Sequence, residues 1–231
     1  MKQILARFFR AFLLASLLLG CSERRNKDAV ISSHRHQFQR SLNNWKMVIE
    51  SKDFRRRPGT DFLEYDLDLV KSLESVSNRV ERLELIKFLN EEINKISYES
   101  MDYRQYDVTC KAVAQAYGAV MYTSYAIFKD VETAIEAWFS FVEHFNNEIS
   151  RCRKNNAKTG GDKGHDYEYY EYRCILCENA KVRIFYLIDD YGSFATRYCQ
   201  KYPSRKKEFV ERVKKAIGRY PRWYADEIKK K

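Results

Sequence analysis

RQYDVTCKAVAQAYGAVMYTSYAIFKDVETAIEAWFSFVEHFNNEISRCRKN, residues 104–155, is the stretch whose periodicity decides the architecture. Val108, Ala112, Val113, Tyr117, Val120, Met121 and Ile127 recur in its first half at helical spacing. Ile135, Trp138, Phe139, Val142, Phe145 and Ile149 do the same in its second. Apolar residues three, four and seven apart fall on one face of a helix. Only Asp130 separates the two runs, so the spacing predicts helices over 104–129 and 131–155 folded into a tight antiparallel hairpin.

The flanks continue this pattern. Toward the N-terminus, Val30, Ile31, Phe38, Leu42, Trp45, Val48 and Ile49 predict a helix over about 29–52. Arg55–Gly59 breaks it, and Thr60 or Asp61 caps a helix running to Val76. Asn78, with Glu81 three residues on, opens another over 79–97. Toward the C-terminus, NNAKTGGDKGH (155–165) reads as a polar, Gly-rich loop, followed by a helix over 167–190 that Asp190–Ser193 ends. Two basic helices, 204–218 and 221–230, each begin near a Pro. Three Pro and eight Gly in 231 residues are too few turn residues for an all-β chain. The reading is all-α, a single multi-helix bundle of six to eight helices spanning residues 29–231.

With 45% hydrophobic and 15% aromatic residues the chain is not of disordered composition. Its net charge of +10 is unevenly placed. Residues 201–231 hold twelve Lys or Arg against four Asp or Glu, and residues 1–20 hold three cations and no acid. The body between them is close to neutral.

The N-terminus carries an address. Lys2, Arg7 and Arg10 precede the apolar run Ala11–Leu19, whose nine residues reach only about 14 Å as a helix, half a bilayer core. Basic leader, short apolar stretch and small residues describe an export signal over residues 1–20. Leu18-Leu19-Gly20-Cys21 resembles the lipobox of bacterial lipoproteins. That resemblance covers residues 1–21 alone. It implies cleavage before Cys21 and a thioether-linked lipid on that residue, with Ser22–Asp28 as a polar tether. Two or three acyl chains, at roughly 0.8 kcal/mol per buried methylene, would hold such a protein on its membrane. Ser22 after the Cys resembles lipoproteins sent to an outer membrane, where the organism has one.

Export to an oxidising compartment makes disulfides the first expectation for the other cysteines: Cys110, Cys152, Cys174, Cys177 and Cys199. Cys110 lies twenty residues before Asp130 and Cys152 twenty-two after it, so the hairpin sets them at nearly one height. Cys174 and Cys177 come to the same level across the next turn and share a helix face. Four thiols are therefore expected at one end of three helices. Disulfides, with Cys110–Cys152 or Cys152–Cys174 first, a four-thiolate metal site, and plain buried cysteines all account for them. Cys174-x-x-Cys177 sits mid-helix with no strand before it, which argues against a thioredoxin-type pair.

No sequence pattern announces catalysis or a cofactor. His-Glu-x-x-His, helical Glu-x-x-His, Gly-x-Ser-x-Gly and phosphate-loop patterns are all missing. His34 and His36 point to different faces, and His165 ends the loop. Glu91-Glu92, Glu132/Glu136 and Asp189-Asp190 read as solvated helix faces. Two features suit recognition. The cluster Tyr167, Tyr169, Tyr170 and Tyr172 cannot turn every ring into one core. Arg205, Lys206, Arg212, Lys215, Arg219 and Arg222, with Trp223 among them, suit an anionic surface such as lipid headgroups, lipopolysaccharide or a wall polymer. Nucleic acid would use the same charges, but an exported chain does not meet it.

The sequence thus predicts an envelope lipoprotein with a membrane-anchored, non-enzymatic binding or scaffolding role. An enzyme acting on a wall or lipid substrate, and an inhibitor or immunity protein that captures a protein partner, are the alternatives.

Overall fold

The computed structural model describes residues 67–159, 165–189 and 193–230, with Ala29, Ser32, Ser33, residues 35–38 and Arg40 before them. Cys21, the tether, the break at Arg55–Gly59 and the turn at Gly160–Gly164 lie outside the described residues. The fold is an all-α multi-helix bundle, without a strand among the described residues. Its helices are α1 (Leu67–Glu74), α2 (Arg79–Asn94), α3 (Tyr103–Tyr122), α4 (Val131–Lys158), α5 (His165–Asp189), α6 (Ser193–Lys201), α7 (Lys206–Ile217) and α8 (Arg222–Lys229).

Local side-chain chemistry starts three of these helices. Asn78 accepts from the Val80 amide at 2.8 Å, Asp102 from Gln105 at 2.8 Å and Asp130 from Thr133 at 3.1 Å. Each satisfies a first-turn N–H that the helix itself leaves without a partner. α7 stops at Gly218, whose φ of 84° suits a residue without Cβ, and its amide closes on the Lys214 carbonyl at 2.7 Å.

The hairpin differs from the expected straight run to residue 129. α3 ends at Tyr122 and passes into a π-helical turn, Thr123–Ile127, where the Phe128 amide reaches back to the Thr123 carbonyl at 3.2 Å. Lys129 then adopts φ 54°, and Asp130 opens α4. One wide turn and one left-handed residue reverse the chain within a few positions.

α4 is the axis of the bundle. Its 28 residues, about 42 Å of helix, touch α2, α3, α5, α6 and α7, with the longest contact along α5. Ile135, Trp138, Phe139, Val142, Phe145 and Ile149 are buried along it. α3 is enclosed almost completely, from Val108 to Val120 with only Lys111 part-exposed. α6 was not expected. Ser193 looked like the end of one helix, but it begins another, which buries Phe194, Ala195, Tyr198 and Cys199 on one face. No described helix is long and apolar enough to cross a membrane.

Candidate functional site

The first turns of α3, the second half of α4 and the first half of α5 meet around one buried cation. Arg173 is 1% exposed, and its Nη2 lies 3.4 Å from Oε2 of Glu148, itself 3% exposed. Its guanidinium sits over the rings of Tyr106 at 4.2 Å, Tyr169 at 5.2 Å, Tyr170 at 5.7 Å and Tyr98 at 5.8 Å. Nε and Nη1 make no hydrogen bond. The negative faces of four rings supply part of what those donors lack. Burial pushes the Glu148 carboxyl above its ordinary range, although Arg151, at 3.0 Å, and Arg173 both pull it back.

The four thiols lie in the same layer. Cys177 of α5 neighbours Cys110 of α3, and its Sγ stands 2.9 Å from the Tyr106 hydroxyl. Cys174, one turn earlier, neighbours Cys152 of α4, with its Sγ 3.9 Å from the Ile149 carbonyl. The expected disulfides are not formed: all five described cysteines are free thiols, and Cys110 meets Cys177 rather than Cys152. The pairing follows from the position of α5, which turns Cys174 toward α4 and Cys177 toward α3. Burial raises the thiols of Cys110, Cys152, Cys174 and Cys199. They are therefore protonated near neutrality, and the thiolate chemistry of a nucleophile is suppressed. The four-thiolate alternative has no support either, since no group of three or more His, Cys, Asp or Glu among the described residues is placed to hold a metal ion.

The Tyr cluster divides its work. Tyr169 turns its hydroxyl to the carbonyl of Met101, so its ring is fixed at the loop before α3. Tyr103 packs on Tyr169 with centroids 4.8 Å apart and on Tyr172 at 5.4 Å. Tyr167, Tyr169, Tyr170 and Tyr172 are all half-buried. Above them an open cleft has Tyr103, Tyr169 and Tyr170 as its rings and Glu99, Asp102 and Asp166 as its charged residues; among the described residues no Lys or Arg lines it. Comparison with known proteins finds no matching family model, no similar curated protein and no similar solved structure.

The basic C-terminal residues are largely engaged within the molecule. Arg205 donates to Glu132 at 3.0 Å, and Lys206 pairs with Glu227 at 2.6 Å. Arg212 binds both oxygens of Glu136, at 2.8 and 3.2 Å, and covers the Phe139 ring at 3.9 Å. Trp223 is half-buried beside Lys206. Lys215, Arg219 and Arg222 are exposed. Sequence reasoning singled out neither Arg173 nor its partners Glu148, Tyr98 and Tyr106. The signal was present in part: Tyr169 and Tyr170 precede Arg173 by four and three positions, which stacks them on one helix face.

Proposed function

We propose that this chain is a lipid-anchored envelope protein whose bundle binds a ligand without transforming it. Leu18–Cys21 is the basis for the anchor, with the membrane reached through a lipid on Cys21. The observation that carries the binding role is the open cleft over Tyr103, Tyr169 and Tyr170, which offers ring faces and carboxylates. The nearby thiols and imidazole are withdrawn from it. The thiols are buried, and His144 is buried in the core with its pKa lowered to about 4. With Arg205, Lys206 and Arg212 held by carboxylates, any contact with anionic lipid, lipopolysaccharide or a wall polymer would begin at the exposed Lys215.

Intact mass of the membrane-extracted protein tests the anchor. A mature chain starting at Cys21 and carrying acyl mass that Cys21→Ala lacks is expected. A chain still starting at Met1, without added mass, would overturn the envelope reading.

A further inference from the structure

We infer that the cleft between the start of α3 and the start of α5 is a binding site for an alkylammonium group, such as a lysine side chain or a free organic cation. This rests on the binding role proposed above and names its ligand chemistry.

The rings are the first argument. Tyr103 and Tyr169 stand 4.8 Å apart at 55°, and Tyr169 and Tyr170 5.5 Å apart at 60°. Tilted rings form corners rather than a flat stack, and a corner presents more than one π face to a single guest. Tyr169 is held there by its hydroxyl, bonded to the Met101 carbonyl. A rigid aromatic corner attracts cations through the ring quadrupole.

Charge is the second argument. Glu99, Asp102 and Asp166 are exposed along the cleft, and among the described residues no cationic side chain lines it. One oxygen of Asp102 is committed to the Gln105 amide, which leaves the carboxylate its charge. A phosphate or carboxylate guest would meet three like charges and, among the described residues, no cationic donor. A cationic guest meets the opposite balance.

The third argument is that these rings already hold a cation. On their inner side Tyr169 and Tyr170 lie against the Arg173 guanidinium, fully buried with two donors left to ring faces and a single carboxylate nearby. Rings with a carboxylate beside them enclose a cation in the core, and the cleft repeats that combination toward solvent. Arg173 is occluded and paired with Glu148, so its charge does not reverse the sign of the outer surface.

The test uses the full-length protein in detergent with its methionine methyls labelled with carbon-13. Met101 lines the cleft, and Met121 packs against the core elsewhere and serves as the internal control. n-Butylammonium and tetramethylammonium chlorides are titrated against sodium chloride and sodium butyrate at equal ionic strength. A saturable shift of the Met101 methyl with either ammonium, absent with the sodium salts, is expected, with Met121 unmoved. Asp166→Asn, at an exposed position, should weaken it by about threefold, and Tyr170→Ala by about fivefold, with Tyr170→Phe restoring most of the loss. Tighter binding of n-butylammonium assigns the guest to lysine side chains, and tighter binding of tetramethylammonium to free quaternary amines. No shift at Met101, or an equal shift with butyrate, would overturn the inference. The anchor reading would stand or fall separately, by mass.

Discussion

Arg82 and Asp130, 48 positions apart in the chain, meet at 2.7 Å with side chains only 5% and 11% exposed. The same guanidinium donates to the carbonyls of Val76 at 3.1 Å and Ser77 at 2.9 Å, and lies over Phe128 at 4.4 Å. Asp130 meanwhile caps α4 through Thr133. One ion pair thus ties the loop before α2 to the turn that reverses the α3–α4 hairpin. Arg82→Met strands the carboxylate, and a loss of about 3 kcal/mol in urea unfolding is expected. Asp130→Asn keeps a capping oxygen and should lose less. Both variants break the pair and keep the cap, so equal losses would assign the stability to the charge pair alone.

Two groups give the acid limb of stability separate windows. Burial first, then repulsion from Arg151, lowers the His144 pKa from 6.5 to about 4. The unfolded chain takes up that proton first, so the stability this group contributes is complete above about 6.5 and lost as pH falls toward 4, in all roughly 3 kcal/mol. For Asp130, burial works to raise the carboxyl, but hydrogen bonds from Thr133 and Arg82 outweigh it and hold it below the ordinary range. Its contribution is present above the unfolded value near 3.9 and is lost as pH falls through the lower folded one. His144→Gln should flatten the curve between 6.5 and 4 and leave the steeper fall below it, measured by urea midpoint against pH.

What the sequence made legible was local. Helix register placed four thiols in one layer because rise per residue is constant and the turn residue Asp130 was evident. Asn78 could be read as a cap because a cap acts within three residues. The partners of Arg205 and Arg212 were not legible. Glu132 and Glu136 looked like an ordinary solvated face of α4, and the basic segment looked free, because charges that meet across more than seventy residues carry no local mark. Arg173 was hidden for the same reason. Its carboxylate lies 25 residues back, on another helix.

Cysteine labelling should report opening of the bundle. Cys110, Cys152 and Cys177 are fully enclosed, whereas Cys174 and Cys199 keep 9% and 8% exposure. A thiol-exchange reagent at pH 8 is expected to label Cys174 and Cys199 first, and Cys110 only at the rate of unfolding. Peptide mapping of partly labelled protein checks the order. Fast labelling of Cys110 in the native state would contradict the packing of α3 against α5.

The Arg173–Glu148 pair should behave as a unit. Arg173→Met removes the cation and leaves Glu148 in the core with Arg151 as its remaining partner, a change expected to lose about 3 kcal/mol or more. Glu148→Leu strands the guanidinium in turn. The double variant replaces both charges by apolar groups of similar length and should recover much of either loss, since buried pairs often contribute little net stability. Strict additivity of the two single losses in a double-mutant cycle would show that the residues act independently.

Docking of the C-terminal helices rests on a few cations rather than on their number. Arg212 joins both oxygens of Glu136 and covers the Phe139 ring, so it contributes packing as well as charge. Nearby, Asn146 of α4 donates to the Ala216 carbonyl of α7 at 3.0 Å, which fixes that helix end against α4. Lys215 is exposed and points its charge to solvent. Arg212→Ala is therefore expected to lower stability by about 1 kcal/mol and to loosen α7 and α8 toward proteolysis. Lys215→Ala should stay within about 0.5 kcal/mol of the parent. If Arg212→Ala is as silent as Lys215→Ala in both urea unfolding and limited proteolysis, the segment is held by Phe209, Val210 and Val213 alone.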